Sequence, residues 1–256
     1  MSALAFRLLG PLQVLRAGRP VEVRAAKQRV VLAALEPRGE APERLPVLND
    51  VARIHCARRC FAEAEETARR VLARAEVTGN SRVEVDALVV LAAGRRTRPA
   101  EAEELLRRAL TTAERAGYRN GTAEALLGLA EQALHVGETR TARERALEAR
   151  ALVGDAHRVL QAQALTALAE CERATGHHAD ATAHAEHALS LNRATGARPG
   201  EARTQRLLGD LARDRGADGA AEDHLGAAHR LYAAMSLPEA DEVAALLRAG
   251  TAAPGR

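Results

Sequence analysis

Residues 63–72 read EAEETARRVL, and residues 101–110 read EAEELLRRAL, with seven of ten positions identical. Following the alanine of each copy along the chain gives Ala64, Ala102, Ala142, Ala181 and Ala221, separated by 38, 40, 39 and 40 residues. A period that constant is the mark of a stacked array, and it governs how every shorter motif is read. Within a period the apolar residues fall at spacings of three and four, one face of an α-helix. Leu126, Leu129, Ala130 and Ala133 form one stripe, and Ala142, Ala146 and Ala149 form that of a partner helix. The next unit repeats the pair with Leu165, Leu168 and Ala169, then Ala181, Ala185 and Ala188. The following one gives Leu208 and Gly209, then Ala221, Leu225 and Ala228.

Punctuation agrees with this phasing. Gly137, Gly176 and Gly216 close the first helix of three successive units, and Gly79, Gly117 and Gly196 close second helices, where a left-handed cap favours glycine. Ser81, Pro99 and Thr122 stand where helices are expected to begin. Aromatic residues make up 2% of the chain and there is no Trp, so packing rests on Ala, Leu and Val. These small side chains suit close helix contacts and favour helix intrinsically. The expectation is an all-α solenoid of about five helical hairpins over residues 46–235. A capping helix over 236–250 covers the last apolar face, and a disordered tail follows at 251–256.

The units resemble the tetratricopeptide repeat. A small residue stands at the eighth position of each first helix (Ala130, Ala169, Gly209), with Gly at the fifteenth and Ala at the twentieth and twenty-seventh. They depart from it in a longer period and in lacking its bulky aromatics; HEAT-like pairing is the alternative. The resemblance implies a concave surface lined by the first helices, with a protein or peptide partner as its ligand. The groove positions it assigns are Glu124, Leu127 and Glu131, then Gln163, Thr166, Glu170 and Arg173, then Arg203, Arg206, Asp210 and Arg213. The last set is strongly charged and suits a polar or acidic ligand; the alternative is a merely solvated face.

The opening of the chain reads differently. Short apolar bursts at 6–9, 12–16 and 21–24, separated by Gly10-Pro11 and by residues 17–20, predict three antiparallel strands, and 26–35 has a helical period. The wording FRLLGPLQVLRAGRPVEVRAAKQRVVLAAL closely resembles the N-terminus of SARP-type (Streptomyces antibiotic regulatory protein) transcriptional regulators. This resemblance implies that residues 1–36 are a remnant of an OmpR-type winged-helix DNA-binding domain, with 37–45 as a linker. It also implies a role in transcriptional regulation of secondary metabolism. The sequence departs from that family where it matters most. EPRGEAPERLP (36–46) stands where a second helix and a recognition helix belong, and no GxxxxGK[ST] stretch marks a nucleotide-binding domain. An internal deletion, or a misplaced gene start, leaves such a trace.

Charge is uneven. The chain carries a net +3, while Arg7, Arg16, Arg19, Arg24, Lys27 and Arg29 against Glu22 give residues 1–30 a net +5. Arg7, Arg24, Lys27 and Arg29 are therefore candidate contacts to a DNA backbone, salt-sensitive and independent of sequence. The leading expectation is a regulatory adaptor that binds a protein or peptide through its repeats, with self-association open. The alternatives are a direct DNA-binding regulator and a remnant without function. Catalysis is not expected: carboxylate pairs such as Glu65/Glu66 and Glu103/Glu104 sit beside arginines as helix salt-bridge partners. No cofactor is expected. His184 and His187 share a helix face beside His177, His178, Asp180 and Cys171, yet a polar helix face explains them better than a metal. Three scattered cysteines, no leader and no long apolar run place the protein in the cytoplasm, with no membrane partner.

Overall fold

The computed structural model describes residues 4–7, 13–16, 19–21, 45–95 and 98–251. From residue 45 onward these form eleven α-helices. Five hairpins follow one another: α1 (Leu45–Ala57) with α2 (Phe61–Thr78), α3 (Ser81–Ala93) with α4 (Pro99–Arg115), α5 (Arg119–His135) with α6 (Thr139–Val153), α7 (Arg158–Ala174) with α8 (His178–Thr195), and α9 (Arg198–Asp214) with α10 (Asp218–Ala234). The helix α11 (Glu239–Thr251) packs on α10. Each helix touches the next. In addition α1 touches α3, α3 touches α5, α5 touches α7, and α7 touches α9, so the first helices line one side of the array.

The repeat anchors sit where the phasing requires. Ala64, Ala102, Ala142, Ala181 and Ala221 are all buried in the second helices. Leu126, Leu165, Leu168 and Leu208 are buried opposite them. Each such leucine contributes roughly 1.5–3 kcal/mol relative to exposure. Burial runs continuously from hairpin to hairpin: Ala123, Leu126 and Ala130 of α5, Ala146 and Ala149 of α6, and Ala164 and Leu168 of α7 belong to one cluster. A single hairpin cannot cover its own apolar face, and stacking supplies the cover.

At Gly137 the backbone takes φ +83°, the left-handed turn that ends α5 and starts α6. Gly209 serves a different purpose. A Cβ there would lie 2.7 Å from Leu225 Cγ and 3.3 Å from its backbone nitrogen, so its absence lets α9 lie directly against α10. Pro99 opens α4, as expected. The cap of α3 is Asn80, whose side chain accepts from the Val83 amide, and Ser81 is the first helical residue. Thr122 starts no helix: it lies inside α5, and its hydroxyl donates to the Tyr118 carbonyl.

The expected N-terminal β-rich segment is not supported as a folded unit. Among the described residues strand pairing joins β1 (Leu4–Arg7), β2 (Gln13–Arg16) and β3 (Arg19–Val21), antiparallel in that order, with Phe6 opposite Val14 and Val14 opposite Val21. Strands of three or four residues fall below the usual five or six, and an isolated small sheet needs an apolar face packed on something. The helix expected at 26–35 lies outside the described residues, as do the expected linker at 37–45 and tail at 251–256 except for Leu45, which is buried and opens α1, and Thr251, which ends α11.

Candidate functional site: the inner face of the first helices

Two ion pairs establish which side is concave. Arg53 of α1 donates to Glu124 of α5 at 2.7 Å, passing over α3. Arg203 of α9 reaches Glu131 of α5, passing over α7. First helices two hairpins apart meet only inside the curve. Arg203 also grips Glu170 of α7 through its Nε and Nη2 at 3.0–3.2 Å, so one guanidinium ties three helices together. The two carboxylates hold the Arg203 guanidinium well above its ordinary pKa. Further along, Arg206 donates to Glu242 of α11 at 3.1 Å. Arg173 donates to Asp214 at 2.6 and 3.2 Å.

The groove positions read from the sequence divide accordingly. Glu124, Glu131, Glu170, Arg173, Arg203 and Arg206 belong to this network of inter-helix pairs. Gln163 and Arg213 are exposed. Asp210 is half-buried; burial raises its carboxyl pKa in spite of Arg173, Arg206 and Arg213 nearby. Leu127 and Thr166 do not line the groove. Leu127 is 7% exposed within the α5–α7 cluster, and Thr166 is 4% exposed. The Thr166 hydroxyl donates to the Ala162 carbonyl and lies 3.3 Å from that of Thr204. Both stand at the position of each first helix that packs on the neighbouring first helix. In α9 the same position holds Arg206, which is long enough to reach out of it.

The charged character of α9 also needs correcting. Arg203 and Arg206 are engaged by Glu131, Glu170 and Glu242, so they do not present free positive charge to an acidic ligand. The shortage of partners lies at the other end. Among the described residues, Asp50 and Arg53 on α1, Asp86 on α3 and Glu124 on α5 form one electrostatic group in which Arg53 faces three carboxylates. Burial, then the charge of Glu124, pushes the Asp86 carboxyl from 3.8 up to about 6, against the pull of Arg53 and a 3.3 Å hydrogen bond from the Tyr118 hydroxyl. The guanidinium of Arg82 lies 5.5 Å from the Tyr118 ring centroid and completes the wall.

Sequence reading missed Asp50, Arg53, Asp86 and Glu242, although for Asp86 and Glu242 the signal was present. Asp86 lies 38 residues before Glu124, and Glu242 lies 39 after Arg203, the same repeat step that relates Glu124, Gln163 and Arg203. The four proposed DNA contacts, Arg7, Arg24, Lys27 and Arg29, have no described side chains. Among the described residues no group of three or more His, Cys, Asp or Glu is placed to hold a metal ion, and no helix is long and apolar enough to cross a membrane.

No family model and no curated protein matches the chain. Solved structures match in fold. The Rap protein complexed with competence and sporulation factor aligns at TM-score 0.62 and 15% identity, over 88% of this chain and 68% of that one. A signal transduction ATPase with a tetratricopeptide repeat sensor, from Pyrococcus horikoshii, aligns at 0.59 and 14%, over 85% of this chain and 33% of that one. A Podosopora anserina kinesin light chain of nearly identical TPR-like repeats aligns at 0.51 and 19%, over 76% and 98%. These likenesses show a tetratricopeptide-like solenoid. They do not show the regulator family that the opening residues resemble.

Proposed function

We propose that this solenoid is a docking module whose inner face receives a protein or peptide segment, with a cationic side chain of that segment held by Asp50, Asp86 and Glu124. The observation that carries this reading is the imbalance at that end of the groove. Among the described residues Asp86 is half-buried, and burial and Glu124 outweigh the pull of Arg53, the condition in which a lysine or arginine from outside gains most. Elsewhere the groove has Glu131, Glu170, Arg173, Arg203 and Arg206 already engaged in inter-helix pairs. It supplies shape and a few open polar groups such as Gln163, with no strong field of its own. A tetratricopeptide-like fold suits protein–protein interaction, and the Rap protein, similar in fold, is described as complexed with a factor.

A regulatory setting is part of the proposal and rests on the opening residues. A chain descended from SARP-type regulators would use its repeats to receive a signal or partner that adjusts transcription, most simply of a secondary-metabolite cluster. Direct DNA binding is a second reading, favoured by the local net charge of +5 in residues 1–30. Gel shifts that persist on a cognate promoter above about 0.2 M salt would support it, whereas uniform loss on all sequences would remove it.

The docking reading is tested by panning a phage-displayed random peptide library on the full chain and titrating the selected peptides by fluorescence anisotropy. Enrichment of Lys or Arg is expected. Affinity should fall about tenfold in the double variant Asp86→Asn/Glu124→Gln, corresponding to about 1.4 kcal/mol. A comparable loss is expected for Gln163→Trp, which fills the centre of the groove. Peptides that bind all three proteins equally, with unchanged far-UV circular dichroism, would rule the inner face out.

A further inference from the structure

The turn between α1 and α2 differs from the turns within the last three hairpins. At the ends of α5, α7 and α9 the left-handed position is glycine: Gly137, Gly176 and Gly216. At the end of α1 the same position is Arg59, with φ +59°. A residue with a Cβ is disfavoured there; among the described residues Ser236, after α10, is the other such case, at φ +54°, but at Arg59 the side chain has a use that glycine cannot supply. That side chain crosses to the far end of the array. Its Nη2 donates to Glu242 of α11, 183 residues away in sequence, and lies 3.9 Å from Glu239 on the same helix. The other Glu242 oxygen accepts from Arg206 of α9 at 3.1 Å. Glu242 is thus held between an arginine of the first hairpin and one of the last.

A contact of this kind differs from every other ion pair in the groove. The others join helices one or two hairpins apart and are satisfied locally. The Arg59–Glu242 pair depends on the small rotation at every hairpin junction in between, because in a solenoid those rotations add. Whatever loosens it frees the ends to move apart, and whatever changes the pitch of the array breaks it. All three side chains are partly exposed, at 47% for Arg59, 39% for Glu242 and 34% for Arg206, so solvent ions and incoming groups reach them.

We propose that Arg59, Glu242 and Arg206 form a latch that ties the two ends of the solenoid together and restricts entry to its inner face. The gating role rests on the reading that a partner binds there; the latch itself does not. With the latch closed, the groove is reached only past the joined ends. With it open, the hairpins spread and the inner face is accessible along its length. Because the pair is exposed, it weakens with salt, and a partner that engages Arg59 or Glu242 opens it.

Small-angle X-ray scattering on the full chain tests this with Arg59→Gly and Glu242→Gln. The first variant removes the guanidinium and at the same time places glycine where the backbone favours it, so folding is not put at risk. At low salt both variants should show a maximum dimension larger than wild type by about 10 Å, roughly one helix diameter. Wild type should expand to match them at about 1 M salt, where screening acts over about 3 Å, and the variants should barely respond. Superposable scattering from all three proteins at both salts would overturn the latch. So would expansion of Arg59→Gly alone, which would place the effect in the backbone. Peptides selected by phage panning on wild type supply the second readout. Their association rate should rise several-fold in both variants. An unchanged rate in proteins that do expand would overturn the gating role. Failure to select any peptide would count against the docking reading while leaving the scattering result to decide the latch.

Discussion

Replacing Asp86 by asparagine should stabilise the fold, and by an amount that depends on pH in a specific way. The half-buried Asp86 carboxyl is pushed up to about 6 from an ordinary 3.8, first by burial and then by Glu124. At about 1.4 kcal/mol for each tenfold change in proton affinity, ionising it in the folded protein costs up to roughly 3 kcal/mol more than in the unfolded chain. Below about pH 3.8 the group is protonated in both states and costs nothing. Between 3.8 and 6 the unfolded chain gives up the proton while the folded one keeps it, so stability falls as pH rises through that window. Above 6 the full cost persists. Asparagine is nearly isosteric, carries no charge and can still accept the hydrogen bond from Tyr118.

The difference in unfolding free energy between Asp86→Asn and wild type should therefore be near zero around pH 4. It should grow through pH 5 and level off above pH 6 at about 1–3 kcal/mol in favour of the variant. Urea titrations followed by circular dichroism at several pH values measure it, with an unchanged denaturant slope as the sign that the unfolded reference is the same. A variant equal to or less stable than wild type at pH 7 would show that Arg53 and Tyr118 fully compensate the charge. The claim of an electrostatically unsatisfied groove would then fall.

Two further outcomes follow from packing. Gly209→Ala should lower stability by about 1–2 kcal/mol, because crowding against Leu225 and the α10 backbone outweighs the roughly 1 kcal/mol helix gain. Gly219→Ala, on a position with nothing within 4 Å, should be neutral or stabilising by up to about 1 kcal/mol; equal effects in urea titrations of the two would refute the close approach of α9 and α10. Thr204→Val should cost about 1–3 kcal/mol, since the buried Thr204 hydroxyl accepts from Asn192 at 3.1 Å and donates to the Gly200 carbonyl at 2.8 Å. Thr166→Val, whose hydroxyl lies 3.3 Å from that of Thr204 and otherwise bonds within its own helix, should cost less, and a thermal melt that ranks the two the other way would contradict this network.

The fold was legible because its information is periodic. Ala64 through Ala221 gave the step, and small residues at fixed offsets gave both helices of each hairpin, since packing in a solenoid is decided between neighbours alike in sequence. The inner face was only half legible. Repeat position singled out Glu124, Glu170 and Arg203, which the structure places in ion pairs between first helices, and the exposed Gln163, but it could not distinguish a position that faces the groove from one wedged between first helices. A solvent-facing residue and an interface residue differ there by only one turn, as Leu127 and Thr166 demonstrate. Pairings such as Arg53 with Glu124, or Arg59 with Glu242, were out of reach for another reason. They depend on how far the array curves, and curvature is the sum of small junction angles that no single repeat encodes.

Stability and binding are opposed at Asp86. The charge that costs the free protein up to roughly 3 kcal/mol is the one a partner's cationic side chain would neutralise, so part of that cost returns as binding energy when the complex forms. Asp86→Asn should then raise the unfolding midpoint and weaken the selected peptides in the same protein. Binding should also release a proton near pH 5.5, because the incoming cation draws the Asp86 pKa back toward its ordinary value. Isothermal titration in two buffers of different ionisation enthalpy reads that proton directly. A stabilised variant that binds peptides as tightly as wild type, with no proton released by either protein, would separate the two effects. Asp86 would then be a burdened residue of the scaffold, and the cation-binding end of the groove would have to be sought elsewhere.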